Sequence, residues 1–158
     1  MIGNLYRCSE DDLARLDGDD PYALWELLDR DNPPPLSLEK DWHAIHALLV
    51  GAAGDDSGAA GFLLTGGREW HVSGGYGPPR IYDPAETRRI DEFLRDMRDD
   101  RFWSTFDASR FAAEDIYPRI WDEPEGELRA ALVATFREMR EFIAETAASG
   151  DLLIFEIA

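Results

Sequence analysis

The chain predicts an α+β fold in a single domain spanning residues 1–158. Three observations point there. Short apolar runs that suit strands stand at both ends, residues 2–8 and 152–157. Between them, apolar residues recur at helical spacing, opened and closed by helix caps. Strands and helices do not alternate in the regular series that a parallel sheet needs. The expected architecture is a small sheet of three or four short strands, including both chain ends side by side, packed with about six helices. At 158 residues the chain is long enough to bury a substantial core.

Taken in order, residues 2–8 carry aliphatic and aromatic side chains and form the first strand. Ser9 caps a helix, with Asp12 three residues on as a weak capping box and Leu13 and Leu16 inward; Gly18 ends it. Asp20 and Pro21 open a second helix, a cap followed by proline where the missing N–H costs nothing. Leu24, Trp25, Leu27 and Leu28 form its apolar face. Pro33, Pro34 and Pro35 stop it.

A third helix, with Ser37 as cap and Glu39 in its first turn, is expected to end at Gly51. Trp42, Ile45, His46 and Leu49 fall on one face of it, which places His46 beside the Trp42 indole and points His43 away. Residues 51–61 read as a loop and 62–65, Phe-Leu-Leu-Thr, as a short strand. The glycine-rich run that follows, through Gly74-Gly75-Tyr76-Gly77-Pro78-Pro79, turns the chain into a strand at 80–82. Such a run can bring backbone amides to an anion. It has neither the phosphate-loop order nor the dinucleotide fingerprint, so a nucleotide site is not expected.

Asp83, Pro84 and Glu86 make a strong helix start, and Ile90, Phe93, Leu94 and Met97 repeat on one face. Phe102, Trp103 and Phe106 form an aromatic cluster in a short helix or turn, and 111–114 form one more turn. Pro118 holds Tyr117 out of helical geometry. The longest helix covers 124–148. Its apolar stripe is Leu128, Ala131, Leu132, Thr135, Phe136, Met139, Phe142 and Ile143, with Gly150 as its C′ residue. The final strand is apolar on both faces, so it is expected inside a sheet covered on both sides.

Composition narrows the function. The net charge is −17, with the acid excess spread along the chain. Direct nucleic-acid binding needs a basic footprint and is not expected. An acidic surface suits a basic protein partner steered by charge. No run of 18 or more apolar residues exists to span a membrane, and residues 1–16 lack the pattern of a signal peptide. Cys8 is the single cysteine, so no internal disulfide is expected and a reducing, cytoplasmic setting is natural. With no nucleophile elbow beside it, Cys8 reads as a packed hydrophobe. His43 and His46 are spaced to meet one metal ion, but only one faces inward and no cysteine joins them; neither metal nor cofactor is expected.

Several fragments coincide in order: residues 1–7, Lys40-Asp41-Trp42 on to His46 and Leu49, Gly75-Tyr76-Gly77-Pro78 with Arg80, residues 82–86, Phe106-Asp107, and Ile116-Tyr117-Pro118 with Ile120-Trp121. Together they resemble the YfbM-like family of small bacterial proteins, a domain of unknown function, almost end to end. The resemblance implies a single α+β domain of the bacterial cytoplasm and no established activity. Its motif positions here are Trp42, His46, Tyr76, Arg80, Tyr117, Pro118 and Trp121. The stretch between Gly51 and Gly75, with Trp70 and His71, departs from the pattern, and His43 is outside it.

Two functions follow as expectations. The first is a non-catalytic interaction protein that binds a basic partner, one form being an immunity-type inhibitor of a basic toxin or nuclease. The alternative is a small anionic ligand, or a reaction, held in a pocket of Trp42, His46, Tyr76, Arg80, Tyr117 and Trp121, with Arg80 as counterion and His46 as general base.

Overall fold

The computed structural model describes residues 1–16, 20, 22–29, 33–72 and 76–158. The expected helix boundaries at Gly18 and Pro21, and the glycines Gly74 and Gly75, lie outside these residues. Five strands form one antiparallel sheet: β1 (Gly3–Cys8), β2 (Leu36–Glu39), β3 (Arg68–Glu69), β4 (Arg80–Tyr82) and β5 (Leu152–Ile157), in the order β2-β1-β5-β4-β3. The described residues also hold seven α-helices and a 3₁₀ turn at Gly58–Gly61. The architecture is therefore α+β, with both chain ends in the sheet.

The two terminal strands do lie side by side. They pair from Gly3 opposite Ile157 to Cys8 opposite Leu152. This makes β5 the central strand, and both of its faces are covered. Leu153 and Phe155, opposite Tyr82 and Leu5, face the larger core; Leu152 and Ile154 face the smaller one. The alternation of a strand then disappears from the sequence, because neither face meets water.

The larger core lies beneath α3 (Trp42–Ala53), α4 (Pro84–Asp96), α5 (Asp99–Trp103), α6 (Ala108–Ala113) and α7 (Glu125–Ser149). Phe102 and Phe136 stack within it at 4.1 Å. The long stripe of α7 is buried at Leu128, Leu132, Phe136, Met139 and Ile143 as its spacing requires, while Ala131 is exposed. The smaller core is closed by α1 (Glu10–Ala14) and α2 (Ala23–Leu28), through Leu24, Leu27 and Leu28 with Trp70. Ser9 caps α1, and Asp83 and Glu86 complete the capping box of α4. Among the described residues, no helix is long and apolar enough to cross a membrane.

Three sequence expectations are corrected. Ser37 and Glu39 do not start a helix. They belong to β2, whose Leu38 is fully buried beside β1, and Glu39 turns the chain with φ 47°. Helix α3 begins at Trp42, and Asp41 sends its carboxylate across to the Thr135 hydroxyl at 2.7 Å instead of capping. Gly51 does not end α3; it lies inside the helix, where a Cβ would come within 2.6 Å of the Thr105 hydroxyl. The left-handed cap is Gly54, whose N–H donates to the Val50 carbonyl at 2.9 Å. Residues 62–65 are a turn, not a strand: the N–H groups of Leu64 and Thr65 both donate to the Gly61 carbonyl, and Phe62 and Leu63 plug the core. A four-residue apolar run serves either purpose, and only its hydrogen-bond partners distinguish them.

Candidate functional site

The motif residues are distributed over α3, the entry to β4 and the segment between α6 and α7. Trp42 opens α3. Its ring covers the first strand at Gly3, where any Cβ would lie 2.7 Å from the Trp42 Cβ. The indole stacks on His43 with centroids 5.1 Å apart and planes 14° apart, and it lies 6.4 Å from both Tyr117 and Phe155. His43 does not point away, as its helical position suggests. It folds back on the indole, and its Nδ1 accepts the backbone N–H of Tyr117 at 3.1 Å.

His46 sits one turn further along, half-buried at the margin of the stripe rather than within it. Among the described residues, its Nδ1 is buried without a hydrogen-bond partner, and so is the Trp42 Nε1. Burial first, and the neighbouring His43 second, push the imidazole down to about 4, with Asp56 opposing. His46 is therefore neutral near pH 7, which suits an acceptor or an apolar contact better than a proton shuttle.

Tyr76 and Arg80 meet elsewhere. They line a cavity of about 110 Å³ whose floor includes Phe155 and Ile157. Tyr76 is exposed, whereas the Arg80 guanidinium is already engaged: it donates to the Gly66 carbonyl at 2.8 Å and to Glu69 Oε1 at 3.0 Å. Phe155 is the shared neighbour, close to Trp42 on one side and lining the Tyr76–Arg80 cavity on the other. Trp121 belongs to neither group. It is buried, donates to the Ile116 carbonyl at 2.8 Å, and meets Phe111 edge to face at 4.9 Å. Its contacts anchor the segment that carries Tyr117, where the Tyr117–Pro118 peptide is cis. The structure thus brings Trp42 and Tyr117 together and Tyr76 and Arg80 together, and leaves Trp121 in a packing cluster.

A different cavity, of about 440 Å³, opens between the 3₁₀ turn, the turn at 62–67 and the first half of α4. None of the seven motif residues lines it. Its base is formed by Phe62, Tyr82 and Ile90, and its rim carries Asp56, Glu86 and Arg89. The Tyr82 hydroxyl donates to the Phe62 carbonyl, and burial raises its pKa far above the ordinary phenol value. The sequence signal for this cavity is slight: a glycine pair at 66–67, and a Glu and an Arg three residues apart on α4. Among the described residues, no three His, Cys, Asp or Glu side chains are grouped to hold a metal ion. Burial pushes the Cys8 thiol up to about 12, with Asp12 and Asp151 adding to the effect, so it is unreactive near neutrality.

Comparison with known proteins fits this architecture. The model of the DUF1877 family, a domain of unknown function, matches residues 1–156. The crystal structure of YfbM from Escherichia coli, titled a protein of unknown function, superposes with a TM-score of 0.71 at 17% sequence identity, over 98% of each chain. At that identity the likeness speaks for the fold alone. No curated protein matches the chain.

Proposed function

The chain belongs to the DUF1877 family, a domain of unknown function, and from that footing we propose that it is a non-catalytic binding protein whose acidic surface receives a basic protein partner. One observation carries this reading. Residues 114–127 lay Glu114, Asp115, Asp122, Glu123, Glu125 and Glu127 on the surface, all exposed, with Arg119 as the one basic residue in the stretch. Arg119 is paired with Asp115 at 2.6 Å, and the Trp103 indole donates to Glu125 at 3.3 Å. The other carboxylates add to a net charge of −17. Like charges at this density repel one another, and a cationic partner relieves that repulsion while steering its own approach.

The segment is also held firmly. Trp121, Ile116 and the His43–Tyr117 hydrogen bond pin it to the core, so the carboxylates are presented without an ordering cost. An inhibitor of a basic toxin or nuclease is one form such a protein takes. An anionic ligand held by Arg80 has less support, because that guanidinium is already bonded to Gly66 and Glu69.

The test compares the immobilised protein with a variant carrying Glu114→Lys, Asp122→Lys and Glu123→Lys, over a salt series. The expected result is a basic protein retained by the original chain at low salt, released as screening shortens the Debye length to about 8 Å and below, and not retained by the variant. Identical retention by both chains across the series would overturn the reading.

A further inference from the structure

The 440 Å³ cavity beside α4 carries a binding assignment separate from the acidic surface. Its size lies toward the small end of the range typical of ligand pockets, about 300–1,000 Å³. Its base is apolar: Phe62 and Tyr82 meet edge to face at 6.1 Å, with Ile90 alongside. One wall is bare backbone. Gly67, at φ 72°, lies so close to the Tyr82 ring that a Cβ would come within 2.7 Å of it, and a Cβ on Gly66 would come within 3.2 Å. Side chains are thereby kept out of the opening.

The hydroxyls around the rim are already engaged. Thr65 Oγ1 donates toward the carbonyls of Asp56 and Gly61, at 3.0 and 3.1 Å, and Ser57 Oγ donates to Asp55 at 2.5 Å. The charged groups remain available. Arg89 is the one cation in the lining, and it makes no ion pair or hydrogen bond among the described residues. Glu86, one turn earlier on the same helix face, uses Oε2 to accept the Asp83 N–H and does not bridge to Arg89. Asp56 contributes a second carboxylate.

A simple anion entering here would face two carboxylates against one guanidinium. A simple cation would face Arg89. A molecule with both charges and an apolar body satisfies every wall, and each mismatch disfavours the alternatives. We infer that this cavity binds a free α-amino acid with an apolar side chain, its carboxylate on Arg89, its ammonium toward Glu86 and Asp56, and its side chain on Phe62 and Tyr82.

The experiment is calorimetric titration with L-leucine, L-methionine and L-phenylalanine, and with phenylacetate and phenethylamine as the single-charge controls. Amide NMR shifts locate each binder, and Arg89→Gln is titrated in parallel. Saturable binding of at least one amino acid is expected, with shifts around residues 56–67 and 82–90. Each single-charge control, and the Arg89→Gln variant, should lose roughly tenfold or more in affinity, the loss of one charge-assisted contact. Arg89 is exposed, so the thermal midpoint of the variant should match the original. Absence of saturable binding by all three amino acids, equal affinity for phenylacetate or phenethylamine, shifts confined to another face, or unchanged binding by Arg89→Gln would each overturn the assignment.

Discussion

The backbone N–H of Tyr117 donates to Nδ1 of His43 at 3.1 Å, joining α3 to a segment 74 residues away. The bond requires the Nδ1 lone pair, so the neutral imidazole carries its proton on Nε2. Burial lowers the His43 pKa in the same direction, with Asp115 opposing. The imidazole also stacks on Trp42, so one side chain ties the helix, the indole and the acidic segment together.

Removing that acceptor leaves a part-buried N–H unpaired. His43→Ala is expected to destabilise the fold by about 1–3 kcal/mol, the cost of an orphaned donor. His43→Asn, whose amide oxygen can take the place of Nδ1, should recover part of the loss. Urea denaturation of the three proteins checks this, and equal midpoints for the Ala and Asn variants would count against the hydrogen bond as the cause.

Two glycines should respond in opposite directions. A Cβ on Gly3 would lie 2.7 Å from Trp42 Cβ and 2.8 Å from Cγ, with the central pair of strands behind it. Gly3→Ala is therefore expected to cost about 1–3 kcal/mol through overpacking. Gly126, in the first turn of α7, has nothing within 4 Å of an added Cβ. Gly126→Ala should stabilise by up to about 1 kcal/mol, because alanine loses less backbone freedom on entering a helix. Thermal or urea midpoints of the pair decide the matter; a neutral Gly3→Ala would mean that β1 and α3 do not meet as described.

The His46 imidazole sets a pH dependence with a definite sign. Its folded pKa is lowered to about 4 from the ordinary 6.5, so the unfolded chain binds the proton more readily. The contribution to stability is fully present above about pH 6.5 and is lost as the pH falls from there toward 4. Between those values, His46→Gln should show a shallower decline of the unfolding midpoint than the original chain. A parallel decline in both proteins would show that other groups account for the slope.

Much of the architecture was legible before any coordinates. The capping box at Asp83 and Glu86, the stripe of α7 from Leu128 to Ile143, and the glycine cap at 150 are local signals, written in residues three or four apart. The terminal strands were legible for a similar reason: an apolar run as short as 152–157 with no polar face must be covered on both sides. Strand β3 left no such trace. Arg68 and Glu69 are both exposed and charged, as an edge strand tolerates, and only their pairing with β4 makes them a strand. Leu36 and Leu38 did carry an alternating signal, but Ser37 and Glu39 imitate a helix cap, and the competing pattern misplaced the start of α3.

The candidate site was less legible. The family resemblance grouped Trp42, His46, Tyr76, Arg80, Tyr117 and Trp121 as one candidate pocket, whereas their partners divide them between a tilted aromatic pair, an engaged arginine and a packing cluster. His43, which was not among these six, makes the contact that joins two of the segments. The cavity on α4 depends on Gly66 and Gly67 lying against Tyr82, a contact across fifteen or so residues that no local pattern announces.

By itself, then, the sequence determined the fold class, the starts of α1 and α4, both ends of α7, the burial of the last strand on both faces and the strongly acidic composition. These follow from side-chain periodicity, capping chemistry and charge, which act over a single turn or as a sum over the chain. Only the tertiary structure decided which polar groups are already satisfied and which remain open: Arg80 bonded to Gly66 and Glu69, His43 accepting from Tyr117, His46 neutral and half-buried, Arg89 facing a cavity without a counterion among the described residues. A hydrogen bond or an ion pair depends on positions within a few tenths of an ångström, and residues distant in sequence reach those positions only when the sheet and helices pack.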